Sequence, residues 1–174
     1  MTDSIIQRIR SKLTDYPVNI EAIIRDLGIT VNKNAELPNG ISGQIKRTGD
    51  TFEISSAVGE HYYRQRFSMA HELGHYVLHR DLIGAGVDDD TKYRSTSIGD
   101  LYNTAIDQIH ERQANAFAAS VLIPEKLLRA KIDKLADQDV TLRDLYTAFQ
   151  VSPSAMKWRL SNLGLSDKVD YSVS

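Results

Sequence analysis

Arg64-Gln65-Arg66-Phe67-Ser68-Met69-Ala70-His71-Glu72-Leu73-Gly74-His75-Tyr76-Val77-Leu78-His79 is the stretch that decides how the sequence reads. Its periodicity predicts a helix over about 60–80. Ser68, His71, Glu72, His75 and His79 share one arc, and Phe67, Met69, Ala70, Leu73, Val77 and Leu78 fill much of the rest. Such a helix is buried, and a polar stripe buried with it requires partners. His71 and His75 stand at i and i+4, about 40° apart at 3.6 residues per turn, so both imidazoles can address one ion. Glu72 lies about 100° round from His71 and can reach a water beside that ion without displacing a ligand. Two histidines and a glutamate in the pattern H-E-x-x-H are the parts of a hydrolytic metal site with a general base. A chance match on an amphipathic helix would leave both histidines solvated, which the apolar setting argues against.

Zinc of this kind takes three protein ligands and leaves a fourth position for water. The third ligand has three sources. Asp81 occupies the position used when a glycine lets the chain turn back after the second histidine, but here that position is Leu78, in a helical run. His79 lies a turn beyond His75 and suits a supporting or capping role. Glu111, 36 residues after His75, shares a stripe with Asn115, Ala118 and Leu122 on an alanine-rich helix thin enough to pack closely. Asn115 could then hydrogen-bond a ligand histidine. Spacing alone leaves Glu111 open between ligand and solvated charge. Manganese or iron would accept the same donors as zinc.

Around this stretch the chain reads as mixed α and β. Helices are expected at Ser4–Leu13 and about Ile20–Leu27, a strand at Ile29–Val31, and a hairpin from Ser42–Lys46 and Thr51–Ser55. Gly84–Gly99 is polar and aperiodic and reads as a long surface loop of the kind that covers a site. Further helices are expected at about Leu101–Leu122, Pro124–Leu135, Leu142–Phe149 and Pro153–Leu163. The 174 residues carry a net charge of −2 and no cysteine, which removes disulfides, thiol catalysis and Cys-based zinc sites. The start of the chain does not read as a signal peptide, and no apolar run reaches the ~20 residues a membrane span needs. A cytoplasmic location is expected.

The quoted stretch resembles the signature of the ImmA/IrrE family of metallo-endopeptidases. Glu111-Arg112-Gln113-Ala114-Asn115-Ala116-Phe117-Ala118-Ala119-Ser120-Val121-Leu122-Ile123-Pro124 resembles the family's second block, E-x-x-A-N-x-F-A-A-x-L-L-x-P. The resemblance implies a zincin-like α+β fold, with a small twisted sheet behind the active-site helix. It also implies that Glu111 is the third ligand, standing four residues before the Asn as the family's glutamate does. It implies zinc, Glu72 as catalytic base, and a protein substrate, a helix-turn-helix repressor in a mobile-element or stress-response circuit. No motif fixes the group that stabilises the oxyanion; Tyr76, Tyr93, Tyr102 and His79 are candidates.

Residues 141–160 also look like a helix-turn-helix, with Ser152 as N-cap and Pro153 at N1. From 125 to 170, however, eight Lys/Arg face seven Asp/Glu, unlike the basic footprint of DNA binding. Trp158 is expected on the core side. The organisation expected is a metallopeptidase domain over 1–124 and a helical subdomain over 125–174 packed on it. The rival to a protease is a DNA-binding or protein-binding regulator with a metal site and no turnover, against which Glu72 argues.

Overall fold

Ile5, Ile6 and Ile9 give the first segment one apolar stripe, and it folds as α1 (Thr2–Ser11) in the computed structural model. That structure describes residues 2–83, 93–96, 108–135 and 140–172, the backbone alone at 93–96. Asn19 accepts a hydrogen bond from the Ala22 N–H at 3.0 Å and starts α2 (Ile20–Asp26), whose Ile20, Ile23 and Ile24 are buried. Four strands follow: β1 (Thr30–Ala35), β2 (Ile41–Thr48), β3 (Thr51–Ala57) and β4 (Tyr93–Thr96). They form one sheet in the order β1-β3-β2-β4. β2 and β3 are the expected hairpin, closed by Gly49-Asp50 with Gly49 at φ 58°. β1 runs parallel to β3, and β4 antiparallel to β2.

α3 (Tyr62–Leu78) packs on β2 and β3, burying Met69, Ala70 and Leu73 completely. Gly43 on β2 and Gly74 on α3 make this arrangement possible. A Cβ at position 43 would sit 2.9 Å from the Ser68 Cβ and 3.3 Å from Glu72 Oε1. A Cβ at position 74 would sit 3.1 Å from the Ala114 Cα and 3.2 Å from the Phe117 ring. The second contact belongs to α4 (Gln108–Leu122), which lies along α3 with Ala114, Ala118 and Ala119 buried. Both glycines are selected here by close approach rather than by turn geometry.

α5 (Glu125–Lys134), α6 (Leu142–Phe149) and α7 (Pro153–Asn162) complete the chain. Thr141 and Asp144 cap α6 reciprocally, and the Ser152 hydroxyl accepts from the Ala155 N–H at 3.1 Å to cap α7. The core is continuous from Ile9 through Leu73 and Leu122 to Leu160. Arg66 Nε donates to the Gln150 carbonyl at 3.2 Å, and Arg159 Nε donates to the Ile123 carbonyl at 3.1 Å. No helix among the described residues is long and apolar enough to cross a membrane.

Three readings of the sequence are corrected. α3 stops at Leu78, where His79 turns to φ −131° as C-cap and donates its N–H to the His75 carbonyl, and Arg80–Leu82 is a separate 3-10 turn. Within the expected loop 84–99, residues 93–96 form the edge strand β4; the remainder, with 101–107 of the expected second helix, lies outside the described residues. Trp158 is not on the core side but 46% exposed. Arg159 takes the inward position, held by the Ile123 carbonyl, and a step of about 100° round the helix turns Trp158 outward.

Candidate metal centre

His71, Glu72 and His75 are all buried, at 3%, 0% and 1% exposure, so the polar stripe of α3 faces protein along its length. His71 and His75 are one turn apart and their Nε2 atoms stand 3.0 Å from each other. Across the seam, α4 delivers the Glu111 carboxylate between them: Oε2 lies 3.2 Å from His71 Nε2, and Oε1 lies 3.1 Å from His75 Nε2. These three side chains are the one group of three or more metal-capable residues among the described residues, with ligand atoms within 4.8 Å of one another. Asp81 is not in it; it is exposed in the 3-10 turn after α3.

The network behind the histidines assigns their tautomers. Asn115 Oδ1 lies 2.9 Å from His71 Nδ1, and a carbonyl oxygen can only accept, so His71 carries its proton there and presents a lone pair at Nε2. Gln113 Oε1 lies 2.8 Å from His79 Nε2, which makes that nitrogen the donor and leaves His79 Nδ1 as acceptor. His75 Nδ1 therefore donates to His79 Nδ1 over 3.2 Å, and His75 also presents a lone pair at Nε2. Both lone pairs point at the place where the Glu111 carboxylate sits, the arrangement a divalent metal requires.

The charges agree with this layout. Burial raises the Glu111 carboxyl, but hydrogen bonds with His71 and His75 outweigh it and hold its pKa at about 2. Burial lowers His75, with the neighbouring His71 and His79 adding to the effect beyond what Glu111 restores, to about 4. Burial would lower His71 too, yet contact with Glu111 and the nearby Glu72 charge raise it above its ordinary value. Of the two rings, whose Nε2 atoms stand 3.0 Å apart, His71 is the one that takes up a further proton as pH falls, giving up the Nε2 lone pair it otherwise presents.

The other expected residues are dispersed. His79 and Asn115 support the two histidines as described. The Tyr76 ring is committed to the core, edge-on to Phe52 at 5.0 Å and beneath the Arg80 guanidinium at 4.8 Å. Tyr93 begins β4, and Tyr102 lies outside the described residues. Sequence reasoning missed Gln113 and Gly43. Nothing local marks Gln113, because its partner becomes visible only once α4 is laid along α3.

Residues 58–161 match the IrrE N-terminal-like domain of peptidase family M78. The chain belongs to this family. It is 31% identical over 99 residues to the radiation response metalloprotease IrrE of Deinococcus radiodurans, covering 56% of this chain and 27% of IrrE. It is 26% identical over 131 residues to the metallopeptidase ImmA of Bacillus subtilis, covering 75% of this chain and 69% of ImmA. A solved Mycobacterium tuberculosis transcriptional regulator superposes with TM-score 0.58 at 21% identity, over 92% of this chain and 47% of that one, a likeness of fold. The chain thus spans about a quarter of IrrE and about half of that regulator. Membership of an M78 peptidase family and the His-His-Glu cluster together support a metal cofactor.

Proposed function

We propose that this M78-family chain is a zinc-dependent endopeptidase that cleaves a protein partner, a helix-turn-helix repressor, in the cytoplasm. In this reading 1–124 form the peptidase domain and 125–174 a helix-turn-helix-like subdomain that buttresses it. The observation that carries the reading is the convergence of two imidazole lone pairs and one carboxylate beside the fully buried Glu72. A purely structural zinc site closes its fourth position and has no use for such a base.

His71, His75 and Glu111 would hold the ion, while Asn115 and the His79–Gln113 pair fix the two rings. When bound, zinc polarises the scissile carbonyl and lowers the pKa of a bound water to roughly 7. Glu72 accepts the proton of the attacking water and passes it to the leaving amine nitrogen. Its position depends on Gly43, where a side chain would press on Glu72 Oε1 and Ser68.

The proton on His71 has a measurable consequence. Metal needs that lone pair, so affinity is full above the raised His71 pKa and falls as pH drops through it; Glu111, at about 2, stays ionised throughout that window. Zinc uptake at a pH below the raised His71 pKa should release a proton from that ring, and the ring's contribution should shrink as pH rises through that pKa. Calorimetry in buffers of different ionisation enthalpy reads this directly, and heats independent of buffer at pH 6.5 would contradict it.

The function itself is tested by incubating the zinc-loaded chain with a repressor encoded beside its gene, with and without a chelator, and following intact mass. Two chelator-sensitive fragments are expected. An intact repressor that nevertheless binds the chain would favour a regulator without turnover.

A further inference from the structure

A cavity of about 510 Å³ lies where α3, α4 and α7 meet. Phe67 and Trp158 form its apolar walls, Ala119 and Ala155 keep it deep, and Asn115 and Arg64 bound it. Its volume falls in the range, roughly 300–1,000 Å³, of pockets that bury a small-molecule-sized group. The exposure of Trp158 is at odds with its chemistry, since an aromatic ring of that area is normally buried or in contact with a partner.

The groove adjoins the metal centre through one residue. Asn115 belongs to both: its carboxamide holds His71 Nδ1 at 2.9 Å, and it lines the groove. Phe67 precedes His71 on α3 by four residues, and Ala119 follows Asn115 on α4 by four, so the groove opens one helical turn along the same seam. One turn is about 5.4 Å, and an extended peptide advances about 3.3 Å per residue. A chain with its scissile bond at the His-His-Glu cluster would therefore bring a side chain into the groove one or two residues away.

We propose that the Trp158 groove is the subsite that selects a large apolar side chain of the polypeptide substrate, one or two residues from the cleaved bond. This rests on the endopeptidase reading above. Phe67 and Trp158 would clasp the side chain, while the Asn115 amide offers a hydrogen bond to the peptide backbone and the Ser152 and Ser154 hydroxyls, paired with each other at 2.9 Å, lie at the rim. The same physics limits the discrimination: an apolar pocket separates a large from a small apolar side chain by about 10–200-fold.

Two measurements on the zinc-loaded full chain test the subsite. In the first, a peptide library from a bacterial proteome digest is cleaved and the cut sites are sequenced. Leu, Met and Phe should be enriched at a single position within two residues of the bond. Ala155→Phe, which fills the groove, and Trp158→Ser, which removes a wall at an exposed position, should each reduce that preference at least tenfold with zinc content unchanged. Cleavage with no such preference, or with the same preference in both variants, overturns the subsite and leaves the peptidase reading standing. The second measurement uses Trp158, the chain's one tryptophan, as reporter in the Glu72→Gln chain. Capped pentapeptides with Leu or Phe at the centre of an alanine background should shift its emission, and the same peptides with Asp should not. Shifts without any cleavage by the unmodified chain support the groove and sink the peptidase reading. Absence of any peptide-dependent shift, or a shift that depends only on protein concentration, overturns the groove, the latter in favour of self-association.

Discussion

Glu72→Gln is expected to lose at least ~100-fold in turnover while still binding one zinc per chain. The substitution preserves shape and removes the carboxylate that takes the proton in the proposed mechanism. Glu72 is fully buried on α3 between Ser68 and His75, and β2 passes over it at Gly43, so an isosteric amide fits where a larger side chain would not. Metal retention separates a lost base from a lost site. Cleavage of the proposed repressor substrate by Glu72→Gln at the unmodified rate, measured by intact mass, would move the chemistry elsewhere in the molecule.

The second large effect concerns the third ligand. Glu111→Ala should weaken zinc binding by more than ~100-fold in a competitive chelator titration, whereas Asp81→Ala should leave it unchanged. Glu111 reaches both histidines at 3.1 and 3.2 Å from a largely buried position, and its removal leaves two lone pairs with no anion to balance the charge of the ion. Asp81 is exposed on a 3-10 turn, where solvent screens it. The reverse pattern would refute the ligand assignment.

The sequence revealed most where information is local. H-E-x-x-H lies within two helical turns, so its periodicity, its polar arc and the relative directions of His71, Glu72 and His75 follow from helix geometry alone. Glu111 sits 36 residues further on, and its approach depends on Gly74 resting on the Ala114 backbone, a contact that no periodicity encodes. The residues themselves left it open; only the resemblance of the second block pointed to it. β4 escaped notice because a four-residue edge strand takes its pairing from β2, not from its own pattern. Trp158 was misplaced because helical spacing gave the inward position to the aromatic, whereas Arg159 reaches it through a backbone carbonyl.

An ion shared by His75 and Glu111 would also tie the chain into a ring. The covalent path between them runs through 76–110, and coordination would close that path as a disulfide closes a loop. Closure entropy grows only logarithmically with length, each doubling costing about 0.6 kcal/mol. The centre is therefore nearly indifferent to how many residues connect the two helices, and strongly dependent on the seam at Gly74 where they touch. Insertions between the helices are a free variable for this architecture, and a single methyl group at the seam is not.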